Sequence, residues 1–411
     1  MPESPNDRKV LRGLAAQVAE IAALPIHAQK ADLWRRLNDL EPVRPMVWIN
    51  EICWNEMGPE MDLVCQDTFC REWEGQLRAL LYQWRHLPVD MIVDPYLACP
   101  LAIRDTGYGL EVNATRPAGE GMVCVDYVPT IRTEADLQKI RAPEVTVDRA
   151  ASDAACERLS ALVGDLVPVR PVGVTDAWFA PWDLLIQSWG VQELYTDMID
   201  RPAFVRLGID RMTDAMLSRY EQLEALGALA RNAGNVRVGS GGLGYTRELA
   251  APDPAAPPAR FRDRWGSATP QIFSEVSPAM HEEFALRYEM RFLERSGLNY
   301  YGCCEPLHRK VGILRGVPRL RKISMSPFVD VAQGAEAIGA DFVFSHKPNP
   351  AVLAAETWSP ERARAELRAV LEATRGLAVE VILKDISTVR REPERLWAWA
   401  EIAMEEVERF A

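Results

Sequence analysis

Short apolar runs recur along the chain and alternate with longer segments of helical periodicity. The apolar runs are rich in β-branched and aromatic residues and cover 45–49, 90–95, 169–174, 236–240, 298–304, 321–326, 341–346 and 379–385. Several are apolar at nearly every position, as expected for parallel strands that are buried on both faces. The helical segments between them cover 69–86, 190–228, 278–296, 330–339, 359–375 and 392–410. This alternation predicts an α/β protein that forms a single (β/α)8 TIM barrel.

Two segments lie outside this alternation. Residues 7–40 have helical periodicity, so an N-terminal helical extension is predicted over 1–44, ahead of a barrel over 45–411. Residues 97–150 are turn-rich but contain the alternating runs GLEVNAT and GMVCVDYV, which predict an inserted hairpin flap over the barrel mouth. An open doubly wound sheet is the alternative fold. It is disfavoured because the glycine run GSGGLG at 239–244 lacks the strand–turn–helix context of a dinucleotide site.

Charge and composition exclude several classes of partner. The formal net charge of −12 provides no basic surface for nucleic acid or an anionic membrane. No apolar run approaches the roughly 20 residues that a membrane span needs. The N-terminus, MPESPNDRKVLRG, has no apolar core or cleavage pattern of a secretory signal, so the eight cysteines are expected to be reduced thiols. We therefore expect a cytoplasmic protein, and the sequence leaves open whether it forms a homodimer.

Polar and aromatic side chains cluster where the predicted strands end. The strand-to-helix loops of a barrel converge at one rim, so residues at these ends are candidates for an active site. The main candidates are Asn50, Glu51, Trp54, Asp94, Trp178, Trp182, Cys304, Glu305, His308, His346, Lys347, Asn349, Lys384 and Asp385. Similar positions are held by Asp176, Asp183, Ser240 and Cys303. Together they predict a site for an organic ligand that carries polar groups.

Several of these candidates also have a purely structural interpretation. Asp94 precedes a proline and could cap the following turn. Lys384 and Asp385 are adjacent and could form an ion pair at the end of the barrel. The tryptophans could belong to the core rather than line a ligand pocket.

The stretch GLNYYGCCEPLHRK, residues 297–310, combines cysteines, a glutamate and a histidine. On an extended strand, Cys303 and Cys304 point to opposite faces, so we do not expect both to enter one barrel. A structural zinc site needs four ligands, usually from two paired motifs. Three interpretations stay open: a catalytic zinc with Cys304 and His308 among its ligands, direct contact of Glu305 and His308 with substrate, or packing alone.

Several stretches together resemble the uroporphyrinogen decarboxylase superfamily. They are RPMVWI (44–49), MIVDPYL (91–97), FAPWDLL (179–185), IFSEVSPAMHEEF (272–284) and KPNPAVL (347–353). The resemblance spans residues 40–405 and implies a (β/α)8 barrel. The family includes the decarboxylase itself, whose second-strand aspartate matches Asp94 and holds the pyrrole nitrogens. It also includes barrel methyltransferases that take part in corrinoid-dependent methyl transfer.

Departures from the family motifs favour the methyltransferase branch. NEICWNE follows the first strand, where the decarboxylase has an arginine for its substrate carboxylates. Carboxylates at the predicted rim would repel that substrate, which has eight carboxylates of its own. These rim carboxylates are Glu51, Glu56, Asp94 and Glu305. The zinc methyltransferases of the family carry His-x-Cys after the fifth strand and a further cysteine near the eighth, whereas this chain has Gly302-x-Cys304 and Lys384–Asp385, so zinc is not favoured.

The resemblance therefore implies a corrinoid-dependent methyltransferase that demethylates a small O- or N-methylated compound. A separate corrinoid-binding protein would supply the cobalamin that takes the methyl group. The departing group needs a proton, and the expected acid is Glu305 or Asp94, with His308 orienting it or replacing it. The expected substrate-positioning residues are Asn50, Lys347 and Asn349. Two alternatives remain: a cofactor-independent decarboxylase of a small or porphyrinoid carboxylic acid, and a module that binds a tetrapyrrole without chemistry.

Overall fold

A seven-stranded parallel sheet forms the centre of the protein. The computed structural model describes residues 4–115, 125–176, 178–253 and 255–410. Its strands are β1 Met46–Ile49, β2 Leu97–Pro100, β3 Ala102–Asp105, β4 Asn113–Thr115, β5 Asp126–Val128, β6 Val145–Asp148, β7 Val169–Val172, β8 Trp178–Phe179, β9 Trp265–Ala268, β10 Leu298–Tyr301, β11 Leu320–Met325, β12 Val343–His346 and β13 Val379–Leu383. The sheet order is β1-β13-β12-β11-β10-β9-β8. The protein is thus a mixed α/β fold whose parallel sheet is compatible with a barrel.

Helices connect most of these parallel strands. The α-helices are α1 Pro5–Ala22, α2 Ile26–Asn38, α3 Thr68–His86, α4 Glu134–Leu137, α5 Arg149–Val163, α6 Pro181–Trp189, α7 Val191–Asp200, α8 Pro202–Ala225, α9 Pro278–His281, α10 Arg287–Leu293, α11 Val311–Leu314, α12 Val331–Ile338, α13 Ala351–Ala354, α14 Pro360–Ala373 and α15 Glu394–Glu408. A π-helical segment, Glu282–Leu286, joins α9 to α10. Among the described residues, no helix has both the length and the apolar character to cross a membrane.

Six of the eight predicted strand runs contain strands of the structure. They are the runs at 45–49, 169–174, 298–304, 321–326, 341–346 and 379–385. Five of these strands belong to the central sheet, and β7 instead pairs in parallel with β2. The pattern of apolar runs therefore located most of the sheet, because strands buried on both faces leave a continuous apolar signal.

The other two predicted runs are not strands. Asp90 begins the run at 90–95, and its carboxylate accepts the backbone N–H of Val47 at 2.8 Å while Arg44 binds the same carboxylate. A side chain thus takes a hydrogen bond that a neighbouring strand would have used. In the run at 236–240 the chain turns back on itself through Gly239, whose φ is +55°. Strands β8 and β9 were not predicted: β8 has only two residues, and β9, although as long as β1, reads WGSA and contains no β-branched residue.

Residues 97–150 contain two antiparallel strand pairs, of which β4 and β5 lie in the two alternating runs. β3 pairs with β6, and β4 pairs with β5. Part of the run GMVCVDYV lies outside the described residues. The segment contacts α6, where the backbone N–H groups of Thr130 and Ile131 both donate to the carbonyl of Ser188.

The N-terminal helices pack against the rest of the α/β fold. α1 lies against α3 and α5. In α2, Trp34 is fully buried and its indole N–H donates to the carbonyl of Asp90 at 2.8 Å. Asn38, at the end of α2, donates to the carbonyls of Leu243 and Tyr245. The helix therefore contacts the glycine-rich loop as well as the start of the sheet.

Charged side chains are enclosed within the sheet. Lys322 and Glu380 are both fully buried, and the Lys322 Nζ lies 2.8 Å from Glu380 Oε2. The ammonium group also lies 5.7 Å from the ring of Trp34 and 5.6 Å from that of Trp265, within range of a cation–π interaction. Burial raises the pKa of Glu380 but the attraction of Lys322 and Lys347 outweighs it, so the pKa is lowered and the carboxylate is charged.

Further hydrogen bonds extend this ion pair towards the carboxyl ends of the strands. Ser345 donates its hydroxyl to Glu380 at 2.6 Å. The Nζ of Lys347 donates to the hydroxyl oxygens of Ser345 at 2.6 Å and Tyr300 at 2.9 Å. Tyr300 in turn is 2.9 Å from the hydroxyl of Ser240. We call these six residues the interior network: Lys322, Glu380, Ser345, Lys347, Tyr300 and Ser240.

The interior network accounts for the glycines of GSGGLG. A Cβ on Gly241 would lie 2.5 Å from Glu380 Oε1 and 2.6 Å from the ring of Tyr300. A Cβ on Gly242 would lie 2.3 Å from the ring of Trp34. These separations are too short for any side chain, so the glycines allow the loop to close over the network. Gly242 also donates its N–H to Glu380 at 3.2 Å.

Replacing Lys322 with Met should destabilise the protein by about 3–5 kcal/mol, because it leaves the buried Glu380 without its closest cation. The double variant Lys322→Met/Glu380→Leu should lose less, since neither charge remains unpaired. Urea unfolding of the wild type and both variants measures the difference. A free energy of unfolding for Lys322→Met within about 1 kcal/mol of the wild-type value would contradict the importance of this pair for stability.

Candidate functional site

A cavity of about 320 Å³ opens at the carboxyl ends of the parallel strands. Its lining residues are Glu51, Asp176, Trp178, Arg237, Ser240, Gln271, Cys303, Lys384 and Asp385. Most of them follow strands of the central sheet, so their positions are fixed by the sheet itself. The volume suits a small organic molecule, and the lining combines one aromatic ring with groups of both charges.

A larger cavity of about 700 Å³ lies at the opposite end of the sheet. It is bordered by α2, by residues 40–45 before β1, and by residues 374–378 before β13. Parallel α/β enzymes place their chemistry at the carboxyl ends of the strands, where the strand-to-helix loops converge. We therefore take the smaller cavity as the candidate active site.

Glu51 connects the charged groups of the cavity. Its carboxylate accepts from Arg237 at 2.8 Å, from Lys384 at 3.5 Å and from the backbone N–H of Asp385 at 3.3 Å. Lys384 also donates to the carboxylate of Asp385. Glu51 and Asp385 both have left-handed backbone, with φ of +52° and +57°. Such a conformation is unfavourable for residues with side chains and is retained where surrounding contacts impose it, often at functional sites.

The predicted candidates divide between the cavity and other parts of the protein. Those lining the cavity are Glu51, Asp176, Trp178, Ser240, Cys303, Lys384 and Asp385. Asn50 lies beside them and donates to Glu51 at 3.3 Å. Lys384 and Asp385 therefore form an ion pair, which was the structural interpretation of these two residues in the sequence, and they also line the cavity.

Three other candidates are not among the residues that line the cavity. Trp54 packs edge-on against Tyr82, with ring centroids 6.0 Å apart. Trp182 is fully buried and donates its indole N–H to the carbonyl of Phe284 at 2.9 Å. Asn349 is exposed and accepts the N–H of Ala351 at 3.0 Å.

The remaining basic candidates are shielded from water. Lys347 is fully enclosed in the interior network, and burial lowers its pKa to about 7. His346 is also buried, which lowers its pKa to about 3 and keeps its ring neutral. His308 is half-buried, and desolvation lowers its pKa too.

Asp94 and Glu305 are carboxyl groups with raised pKa values, and burial is the main cause for both. Asp94 accepts a hydrogen bond from Asn235 at 3.0 Å. Glu305 is fully buried and accepts from the hydroxyl of Thr269 at 2.9 Å and from the backbone N–H of Cys303 at 2.9 Å. Glu305 thus lies directly behind a residue that lines the cavity.

Cys303 and Cys304 lie closer together than an extended strand would allow. The sequence predicted that their side chains would point to opposite faces, but β10 ends at Tyr301 and Gly302 has a φ of +95°. The chain therefore turns before the cysteines, and their sulfur atoms are 3.5 Å apart. Within the described ranges, no group of three or more His, Cys, Asp or Glu side chains is arranged to hold a metal ion.

Arg237 and Gln271 are cavity residues that the sequence analysis did not single out. Arg237 lies inside the run at 236–240, which was predicted as a strand but forms a turn, and Gln271 follows β9, which was not predicted. Gln271 donates to Asp183 at 2.7 Å. Burial raises the pKa of Asp183 to about 6, although that hydrogen bond opposes the shift. The cavity is therefore bordered by a second carboxyl group that can hold a proton near neutral pH.

Comparison with known proteins finds likeness in structure but none in sequence. No protein family model and no curated protein sequence matches the chain. Among solved structures, a methyltransferase from Methanosarcina mazei is similar with a TM-score of 0.52 and 12% sequence identity, over 93% of this chain and 98% of that chain. At this identity the likeness extends to the fold.

The free energy of unfolding of Asp183→Asn, relative to that of the wild type, should increase as pH rises. The folded-state pKa of about 6 exceeds the ordinary value of 3.8, so the folded protein binds this proton more tightly than the unfolded chain. The contribution of Asp183 to stability is therefore present below about pH 4 and is lost as pH rises to about 6. Asn can still accept the hydrogen bond from Gln271.

Urea unfolding at pH 4, 5, 6 and 7 measures this change. The exposed Asp153 in α5 provides a matched control, Asp153→Asn, for the effect of removing a carboxylate from the surface. If the difference in free energy of unfolding between the wild type and Asp183→Asn stays constant from pH 4 to 7, the raised pKa of Asp183 is contradicted.

Proposed function

We propose that this protein is a barrel methyltransferase that moves a methyl group from a small O- or N-methylated compound to cobalamin carried by a separate corrinoid-binding protein. We further propose that β2 and β7 complete the parallel sheet as a closed (β/α)8 barrel. The observation that carries the functional proposal is the small cavity at the carboxyl ends of the strands, with carboxyl groups of raised pKa at its border. The fold likeness to a methyltransferase supports the same reaction class.

The size of the cavity supports a division of labour between two proteins. About 320 Å³ accommodates a small methylated molecule but not a corrinoid macrocycle. Cobalamin would therefore be presented at the open rim by its own protein, where it supplies a nucleophilic cobalt that accepts the methyl group. The indole of Trp178 would contact the apolar part of the substrate, and Gln271 and Ser240 would hydrogen-bond to its polar atoms.

Protonation is the step that this chain's residues would contribute. A methoxy or methylamine substrate that loses its methyl group leaves as an anion or a free amine, and an alkoxide is a poor leaving group unless it receives a proton. Burial keeps Glu305 protonated to higher pH than an ordinary carboxyl group. We assign it the role of proton donor, with Thr269 and the Cys303 N–H holding the carboxylate that remains.

A decarboxylase is the second candidate function. Arg237 and Lys384 both line the cavity and could hold the carboxylate of a substrate. However, both already contact Glu51, and Lys384 also contacts Asp385, so a substrate carboxylate would have to compete with these partners. This makes the cavity better suited to a substrate without a net negative charge.

Incubation of the purified chain with Co(I) cobalamin and a panel of methoxylated aromatics and methylamines tests the proposal. We expect methylcobalamin to form only when the chain and a suitable donor are both present, which its absorption spectrum reports. Release of CO₂ from a carboxylic acid without any corrinoid would instead identify a decarboxylase. Tight binding of a tetrapyrrole with no turnover of either kind would identify a binding module.

Replacing Glu305 with Gln should lower turnover by about 10²–10⁴-fold, because the side chain keeps its shape but loses its acidic proton. The melting temperature should stay near that of the wild type or rise, since a buried carboxyl group is removed. The exposed Glu401 in α15 provides a matched control, and Glu401→Gln should leave turnover unchanged. Full turnover in a stably folded Glu305→Gln protein would remove Glu305 from the mechanism.

A further inference from the structure

The adjacent cysteines at the cavity form a pair of unequal thiols. Their sulfur atoms are 3.5 Å apart. Cys303 is 5% exposed and lines the cavity, whereas Cys304 is more accessible. The ammonium group of Lys384 lies 3.8 Å from the sulfur of Cys304. The carboxylate of Asp385 lies 3.7 Å from the same sulfur. The two sulfurs thus meet beside a cation at an opening to solvent.

This environment favours a thiolate on Cys304 and a thiol on Cys303. The hydrogen bond from Cys303 is the main cause that lowers the pKa of Cys304, and Lys384 adds to it against the opposing effects of burial and Asp385. The same hydrogen bond, together with burial, raises the pKa of Cys303. A thiolate is the form of cysteine that reacts with oxidants, and a neighbouring thiol can then resolve the product.

Other cysteines of the described chain lack this combination. Burial raises the pKa values of Cys65, Cys70 and Cys99 to about 12 and also raises that of Cys53. Cys156 is only partly buried and has Cys99 as a neighbouring thiol, so it serves as a reference for a paired, accessible cysteine without a lysine beside it. Cys304 is therefore distinguished by a lysine ammonium group and a second sulfur within 4 Å.

We propose that Cys304 and Cys303 form a redox-sensitive site that reacts with hydroperoxides and closes reversibly to a disulfide. The Cys304 thiolate attacks the peroxide, the O–O bond breaks, and Cys304 becomes a sulfenic acid as hydroxide or alkoxide leaves. Cys303 then attacks the sulfenic sulfur. An S–S bond forms, and the thiol proton of Cys303 departs with the hydroxyl group as water. The two thiols lose two electrons in total, and the hydroperoxide accepts them.

The resulting disulfide should be easily reduced. Adjacent residues have Cα atoms about 3.8 Å apart across a trans peptide, whereas relaxed disulfides usually join Cα atoms about 4.4–6.8 Å apart. The bond between Cys303 and Cys304 would therefore be strained, and strained disulfides are readily reduced by thiols. Its closure removes the thiolate beside Lys384 and changes a side chain that lines the cavity. Peroxide would thus regulate binding at the cavity reversibly, whichever reaction the cavity supports.

Mass spectrometry of the full chain after treatment with hydrogen peroxide and dimedone tests the proposal. Trypsin releases residues 296–309, which contain both cysteines and no others. In the wild type this peptide should lose two hydrogens, gain no dimedone, and recover its mass on treatment with dithiothreitol. In Cys303→Ser, Cys304 should instead become labelled by dimedone, because the sulfenic acid has no thiol to resolve it. Cys304→Ser should show neither product.

The wild-type peptide alone provides an answer that does not depend on the folding of a variant. Before oxidation, iodoacetamide should label Cys304 roughly tenfold faster than Cys156 at pH 7, because the reaction requires the thiolate. Cys156→Ser should leave the peroxide reaction of residues 296–309 unchanged. Equal labelling of Cys304 and Cys156, or a peroxide-treated wild-type peptide without the loss of two hydrogens, would overturn the proposal.

Discussion

The ion pair between Lys322 and Glu380 is the constraint on which the interior of the sheet depends. Two charges taken fully out of water need close partners, and these have a 2.8 Å contact with each other. Trp34 and Trp265 lie beside the ammonium group, and Ser345 and Gly242 donate to the carboxylate. Helix α2, the glycine-rich loop and four strands, β9, β11, β12 and β13, are thereby required to meet at one point.

The same chain of hydrogen bonds links the centre of the sheet to the candidate active site. Lys347 and Tyr300 extend the network towards the carboxyl ends of the strands, and Ser240 is its last member, at the wall of the cavity. A satisfied buried polar network is rigid, because each group would lose a partner if its neighbour moved. We infer that the cavity floor is held in one arrangement. The rim above it, where Glu51 and Asp385 are exposed to water, can adjust more easily to a ligand.

The sequence predicted the elements whose signal is local. β10 to β13 were predicted because each is an apolar run followed by a helix. The run at 90–95 was wrong as a strand: Asp90 donates its backbone N–H to the carbonyl of Val47, but its carboxylate, also bound by Arg44, takes the Val47 N–H that a paired strand would use. The site was predicted in part for the same reason: Lys384 and Asp385 follow a predicted strand, whereas Gln271 follows the unpredicted β9 and Arg237 lies in a turn that was predicted as a strand. Lys322 and Glu380 lie inside strands, where only the three-dimensional structure reveals that they are partners.

The titration of Lys347 tests most directly the claim that the interior network is closed to water and continuous with the cavity. Its Cε resonance can be followed by NMR in protein labelled with ¹³C-lysine, with Lys347→Met providing the assignment. Burial favours the neutral amine, so the account predicts a midpoint near pH 7. A midpoint near the ordinary lysine value of about 10.4 would contradict it, because Lys347 would then be as well solvated as a surface lysine.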